Sequence, residues 1–212
     1  MFYNKNMGNT VGSREPLVAF TARKTQTLWV RPQQMEILIG SILGDAYVSP
    51  QGKIQLEHSI KQKEYLMWKY QELASISYPG PPALVLHKAG KTDKKYEALR
   101  FWTRQFFRPL RSRFYKNNQK IFPSDLKLTP MILAVWHMDD GHYDSHKNRC
   151  TLATDNFNRK SISQILKNLE ESFSIIPVLR PNGKLVFHQE NQTRFFDLIR
   201  PYTIPSMRYK IH

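Results

Sequence analysis

Cysteine is nearly absent: one residue, Cys150, in 212. No disulfide can close within such a chain, and nothing here favours export to an oxidising compartment. Long apolar runs are missing as well. The longest, Ile37 to Gly44, falls far short of the ~20 residues that a membrane span needs. The opening MFYNKNMGNTVGSREP has no apolar core of the kind a secretory signal carries. Its basic, acid-poor character gives it only a weak likeness to an organelle transit peptide. These absences predict a protein that is intracellular, in a mitochondrion, a chloroplast or a bacterial cytoplasm, neither secreted nor in a membrane.

Acid is scarce too, with 17 Asp and Glu against 32 Lys and Arg, a net charge of +15. A surface that basic repels itself unless it meets a polyanion. Nucleic acid is the first candidate and an anionic membrane the second. The 10 Tyr, 4 Trp and 12 Phe among the basic residues, with a pI near 9.9, favour nucleic acid. What remains is ordinary: 41% hydrophobic and 23% charged residues make a globular mix with a core, in one large domain or two small ones.

Hydrophobic spacing and turn residues predict one series of elements twice over. First comes a helix over Gln34 to Gly44, then strands Ala46 to Ser49 and Lys53 to Ser59 across Pro50-Gln51-Gly52. KQKEYLMWKYQELASI is a second helix, broken by Tyr78-Pro79-Gly80-Pro81-Pro82. Strands Ala83 to His87 and Glu97 to Gln105 follow around KAGKTDKK, then a helix Phe106 to Tyr115. In the second half Thr129 caps a helix that begins at Pro130 and runs through Met138. Strands around His142 to Ser145 and Arg149 to Asp155 precede an amphipathic helix, Arg159 to Phe173. A hairpin, Pro177 to Arg180 and Lys184 to Gln189, turns at Asn182-Gly183, before a last helix, Gln192 to Ile199. Each half reads helix–strand–strand–helix–strand–strand–helix. The expected division is an arm, 1–33, that is mobile or lies along DNA, a first half, 34–120, and a second, 121–212.

Two acids occupy matching places. ILIGSILGDAYV (Ile37 to Val48) and LAVWHMDDGHYD (Leu133 to Asp144) are both apolar helices that end on a carboxylate and step into a strand. An acid at the negative end of a helix is disfavoured by several tenths of a kcal/mol, so something should offset Asp45 and Asp140. Gly40 and Gly44 share one helical face, where a second helix can approach closely. Packed at a pseudo-twofold axis against Ala134 and Val135, the two helices would bring both acids together. Such a pair raises one carboxyl's pKa unless a cation joins it. Hard oxygen ligands favour Mg²⁺, which lowers the pKa of bound water as phosphodiester hydrolysis requires.

LIGSILGDA (Leu38 to Ala46) and LAVWHMDDG (Leu133 to Gly141) resemble the two motifs of a single-chain LAGLIDADG homing endonuclease. The likeness runs from about Gln34 to the end, and is closest to I-SceI-like intron-encoded members through LGDAYV, KIQLEH, LTPMILAVWHMDDG and RPYTIPSMRYK. The resemblance implies an α+β fold: a pseudosymmetric duplicated αββαββα with two antiparallel sheets forming a DNA-binding saddle. It implies Asp45 and Asp140 as metal ligands, with the Ala46 and Gly141 backbone beside them. Mg²⁺ is the expected ion, and Mn²⁺ or Ca²⁺ its substitutes. By the same resemblance Lys120 and Lys210 lie near the scissile phosphates, and Gln55 orders water near the metal. The repeat-equivalent of Gln55 is expected to be Ala153, and Val135 and Asp139 stand where the first motif has Gly40 and Gly44. Unequal cutting of the two strands is the corresponding expectation.

Alternate strand residues share a face, which groups Lys53, Gln55 and Glu57; Arg100, Trp102 and Arg104; and Lys184, Val186 and His188. Arg149 and Thr151 are expected to pair with His142 and Asp144, with His146 nearby and Arg180 at the last hairpin. Loop lysines Lys88, Lys91, Lys94 and Lys95 would meet phosphates while strand donors read bases. Zinc at His142, His146 and Cys150 is set aside, because a closed structural site wants four ligands. The expected partner is a double-stranded DNA target, bound by a monomer whose halves supply the symmetry. The function expected is site-specific double-strand cleavage at a long asymmetric site, leaving short 3′ overhangs, in intron homing. The alternative is an RNA-binding intron maturase on the same scaffold.

Overall fold

The computed structural model describes residues 17–22, 26–88 and 95–211. They open with a hairpin, β1 (Val18–Ala22) and β2 (Gln26–Val30), paired antiparallel from Val18 opposite Val30. This hairpin corrects part of the expected arm. Phe20, Leu28 and Val30 are buried in the main core, and the Phe20 ring lies 5.0 Å from that of Phe107. Alternation puts Leu28 and Val30 on one face of β2, and burying that face holds the ribbon down.

The first repeat then runs α1 (Pro32–Leu43), β3 (Tyr47–Val48), β4 (Ile54–Ser59), α2 (Lys63–Leu73), β5 (Ala83–Lys88), β6 (Lys95–Trp102) and α3 (Arg108–Phe114). Pro32 fits the first turn of α1 because its missing N–H has no helical partner there, and Gln34 Oε1 accepts the Arg31 N–H at 3.1 Å. A ribbon that the sequence pattern hid follows: β7 (Tyr115–Lys116) and β8 (Gln119–Lys120), turning through Asn117 and Asn118 at φ 50° and 62°. Asparagine tolerates that left-handed pair, which a two-residue hairpin turn demands.

The second repeat is α4 (Pro130–Asp140), β9 (Gly141–Asp144), β10 (Arg149–Ala153), α5 (Arg159–Phe173), β11 (Val178–Leu179), β12 (Lys184–Phe187) and α6 (Gln189–Ile199). Thr129 caps α4 as expected, its hydroxyl accepting the Ile132 N–H at 3.2 Å. Short 3₁₀ turns at Arg200–Tyr202 and Pro205–Lys210 close the chain. The duplication is exact at the level of topology, the two sheets having the orders β3-β4-β6-β5 and β9-β10-β12-β11.

Helices α1 and α4 pack at the centre, and the glycines of α1 set their distance. A Cβ at Gly40 would lie 2.7 Å from the Ile132 carbonyl oxygen and 2.7 Å from Val135 Cβ. One at Gly44 would lie 2.5 Å from Asp139 Cβ. Val135 and Asp139 therefore fill the volume that the first motif leaves empty. Ala134 and Val135 are fully buried with Ile37, Leu38 and Ile42 in one continuous core. Among the described residues no helix is long and apolar enough to cross a membrane.

A candidate catalytic centre at the paired helix ends

Because α1 and α4 meet side by side, their C-terminal ends and the acids beyond them converge. Burial, then Asp45, then Asp139, push the Asp140 carboxyl up to about 7. Burial and Asp139 raise Asp45 as well. Each helix end also receives a lysine. Lys120, carried by β8, donates its ammonium to the Gly44 carbonyl. Lys210 donates to the carbonyls of Met138 at 2.6 Å and Asp139 at 2.8 Å. Cations at helix C-termini oppose the negative dipole end, and they relieve part of the strain that the acids create. Burial lowers the pKa of both lysines, against the pull of the aspartates. Lys210 is itself anchored: His137, wholly buried, donates Nε2–H to the Lys210 carbonyl at 2.9 Å. Burial drives His137 down to about 4, so the imidazole is neutral at physiological pH and its ring fills the space beside Gly141.

A polar cluster beneath these ends escaped sequence reasoning. The Asp139 side chain is fully buried, and its Oδ1 accepts from the Tyr65 hydroxyl at 2.7 Å and from Lys69 Nζ at 2.7 Å. Its Oδ2 accepts from Lys69 at 3.0 Å and from the Asp45 backbone N–H at 3.3 Å. Burial alone would raise this carboxyl, but the Lys69 charge, with the hydrogen bonds from Lys69 and Tyr65, holds it below the ordinary range. His58 is driven down to about 3, by burial first and Lys69 second. It is therefore neutral. Lys69 Nζ lies 3.2 Å from His58 Nε2, and an ammonium can only donate, so Nε2 is the acceptor and the ring proton sits on Nδ1. That nitrogen faces Asp45 Oδ2 at 3.7 Å.

Asp45, His58 and Asp139 bring ligand atoms within 4.8 Å of one another, an arrangement that could hold a metal ion. The cation there is already supplied by the chain, in the Lys69 ammonium, and Asp139 has no oxygen left without a donor. Asp45, half exposed at its side chain, and Asp140 fit a divalent ion better: two partly buried like charges, one of them driven to about 7, are what a shared cation would relieve.

The strands place most of the expected nucleic-acid contacts on two sheet faces. Gln55 pairs with Trp102 and Glu57 with Arg100 across β4 and β6. Glu57 is engaged by the Arg100 guanidinium, by His87 Nε2 at 2.8 Å and, at 3.4 Å, by the Gln55 amide. Lys53, just ahead of β4, has its ammonium over the Tyr78 ring at 5.2 Å. Arg149 pairs with Asp144 and Thr151 with His142, as expected. Three placements differ. Strand β6 ends at Trp102, so Arg104 lies past it and donates to the Ser77 carbonyl. Strand β12 ends at Phe187, because His188 is the N-cap of α6, and Val186 is buried. The register also corrects the equivalence of Gln55. Tyr47 opposes Gln55 and His142 opposes Thr151, and Tyr47 and His142 each stand two residues past a motif acid. The counterpart of Gln55 is Thr151, which is polar; Ala153 matches Glu57. Arg180, Lys184, His146, Lys88 and Lys95 are exposed, and Lys91 and Lys94 lie outside the described residues.

The model of the LAGLIDADG DNA endonuclease family matches residues 35–195. The chain is 28% identical over 196 residues to the cytochrome b mRNA maturase bI2 of Debaryomyces hansenii, covering 84% of this chain and 73% of that protein. It is 28% identical over 204 residues to the protein RecA of Mycolicibacterium flavescens, covering 84% of this chain but only 46% of that protein. The chain thus spans under half the length of that second relative. Among solved structures, the homing endonuclease I-WcaI bound to its DNA recognition sequence aligns with a TM-score of 0.75 and 27% identity, over 85% of this chain and 86% of that one.

Proposed function

The chain belongs to the LAGLIDADG DNA endonuclease family, and from that premise we propose that it cuts both strands of a long, asymmetric double-stranded DNA site in intron homing, as a monomer, leaving short 3′ overhangs. The observation that carries this is the convergence at the paired helix ends. Two aspartates from duplicate motifs meet there, burial first and Asp45 second drive Asp140 to about 7, and a lysine is anchored at each end. The two four-stranded sheets form the saddle that meets the DNA grooves, with Gln55, Arg100, Trp102, Thr151 and His142 among the readers.

Asp45 and Asp140, with the Ala46 and Gly141 backbone beside them, would hold a divalent ion, Mg²⁺ in the cell, with Mn²⁺ or Ca²⁺ able to stand in for it. When bound, such an ion polarises a phosphate oxygen and acidifies a coordinated water. The protein's own groups do the remaining work. Lys120 and Lys210 sit at the helix ends with ammonium groups that stabilise charge developing on a phosphate. Gln55 and Thr151, at equivalent positions in the two halves, orient water on either side. Buried neutral His58 and His137 keep extra charge out of the centre.

DNA spanning the insertion junction of the intron that carries this reading frame should be cut in the presence of Mg²⁺. Asp45→Asn and Asp140→Asn should each abolish double-strand cutting. Failure of the parent protein to cut any junction-bearing DNA sinks the proposal. A second reading, an RNA-binding maturase, has its support in the likeness to the Debaryomyces maturase. It predicts that splicing of the precursor RNA is assisted by parent and Asp45→Asn alike.

A further inference from the structure

Aligned by sheet register, the halves differ at a connected buried polar cluster, among other positions. The buried positions of α2 are Tyr65, Leu66, Lys69 and Leu73; those of α5 are Ser161, Ile162, Ile165 and Leu169, at the same spacing. Lys69 therefore stands where the second half has Ile165, and Tyr65 where it has Ser161. The β-register makes Thr154 the counterpart of His58, and the motifs put Asp139 in the place of Gly44. Tyr65, Lys69, His58 and Asp139 are the very residues that touch one another. The second half does without this set: Gly44 has no side chain to reach the second acid, and Thr154 spends its hydroxyl on the Gly183 carbonyl at 2.6 Å.

A buried ion pair is weak evidence of stability, since apolar groups of similar volume often serve as well, and Ile165 does so in the other half. What the set contacts points elsewhere. Asp139 accepts the Asp45 N–H, His58 Nδ1 faces the Asp45 carboxylate, and Lys69 and Tyr65 fix both Asp139 and His58 in place. We propose that Lys69, Tyr65 and His58, with Asp139, are a positioning set for Asp45, so that the cutting centre built on Asp45 depends on an ion pair formed between the halves more than the other centre does. This rests on the nuclease reading of the helix ends.

The test uses Lys69→Met/Asp139→Ala, which removes both charges together and leaves neither buried alone, and Tyr65→Phe, which keeps the ion pair but deletes one donor. Each strand's cleavage rate is measured on a supercoiled plasmid carrying the target, the strand served by the first centre being the one that Lys120→Met slows. The double variant should slow that strand by about tenfold or more, the scale on which small misplacements of a reacting group act. The other strand should slow by clearly less, so nicked circles accumulate, and the DNA affinity in Ca²⁺ should stay within about twofold. Tyr65→Phe should shift the same strand in the same direction by less. Equal slowing of both strands, or of neither, overturns the proposal. Amide hydrogen exchange at Asp45 supplies a readout that needs no cleavage: protection of that N–H should fall in the double variant relative to neighbouring amides of α1. Unchanged protection overturns the proposal even if the parent cuts no DNA, an outcome that would by itself sink only the nuclease reading.

Discussion

At Asp140, burial and the neighbouring Asp45 and Asp139 move a carboxyl from its ordinary 3.8 to about 7. A folded-state pKa above the unfolded value means that the native protein binds the proton more tightly. The stability this group contributes is then fully present below about pH 4 and is lost as pH rises through about 7. In metal-free buffer, the melting temperature of the parent relative to Asp140→Asn should therefore fall between about pH 5 and pH 8, because the variant has no charge to develop. A constant difference across that range would contradict the strained pair. Since a ligand carboxylate must be deprotonated, Mg²⁺ affinity should rise across the same window. The acids themselves were legible in the sequence, as helix-ending carboxylates at matching places. Lys69 was not. A lysine one position past Trp68 reads as a solvated helix charge, and only the partner reaching in from α4 shows that it faces inward.

The seam between α1 and α4 follows from the spacing of small residues on α1. Small residues four apart on an apolar helix predict close approach, and the approach is to backbone: the Ile132 carbonyl lies 2.7 Å from where a Gly40 Cβ would sit. Backbone of a packed helix cannot swing aside as a side chain can, so Gly40→Ala should cost about 1–3 kcal/mol. That corresponds to a fall of roughly 2–4 °C in melting temperature per kcal/mol for a chain of this size, read by calorimetry; an unchanged melt would mean the helices are not in contact there. Element ends were less legible. Strand β6 stops at Trp102 because the next residue turns its hydroxyl to the Ile54 N–H at 2.9 Å, and β12 stops because His188 caps α6. The first is decided by a neighbour far away in sequence, the second by the helix that follows at once. The β7–β8 ribbon was missed because each strand has only two residues, too few for any period to show.

Across the whole molecule, positive charges exceed negative ones by 15. If the saddle neutralises about 6–10 phosphates, its affinity for DNA should fall by about 10³–10⁵ between 50 and 200 mM salt, measured by fluorescence anisotropy with Ca²⁺ present. A nearly flat salt dependence would leave the basic surface without a polyanion to meet. The sequence by itself determined the duplication, the order of elements in each half, the two motif acids and the basic character, because period, turn chemistry and composition are local or additive properties of a chain. Tertiary structure alone decided that the N-terminal hairpin is part of the core, that Thr151 rather than Ala153 answers Gln55, and that Lys69 and Asp139 neutralise one another beneath Asp45. Each of those depends on which residues from distant segments are brought within a few ångströms, and electrostatic and packing energies at that range are properties of pairs, which no single stretch of sequence contains.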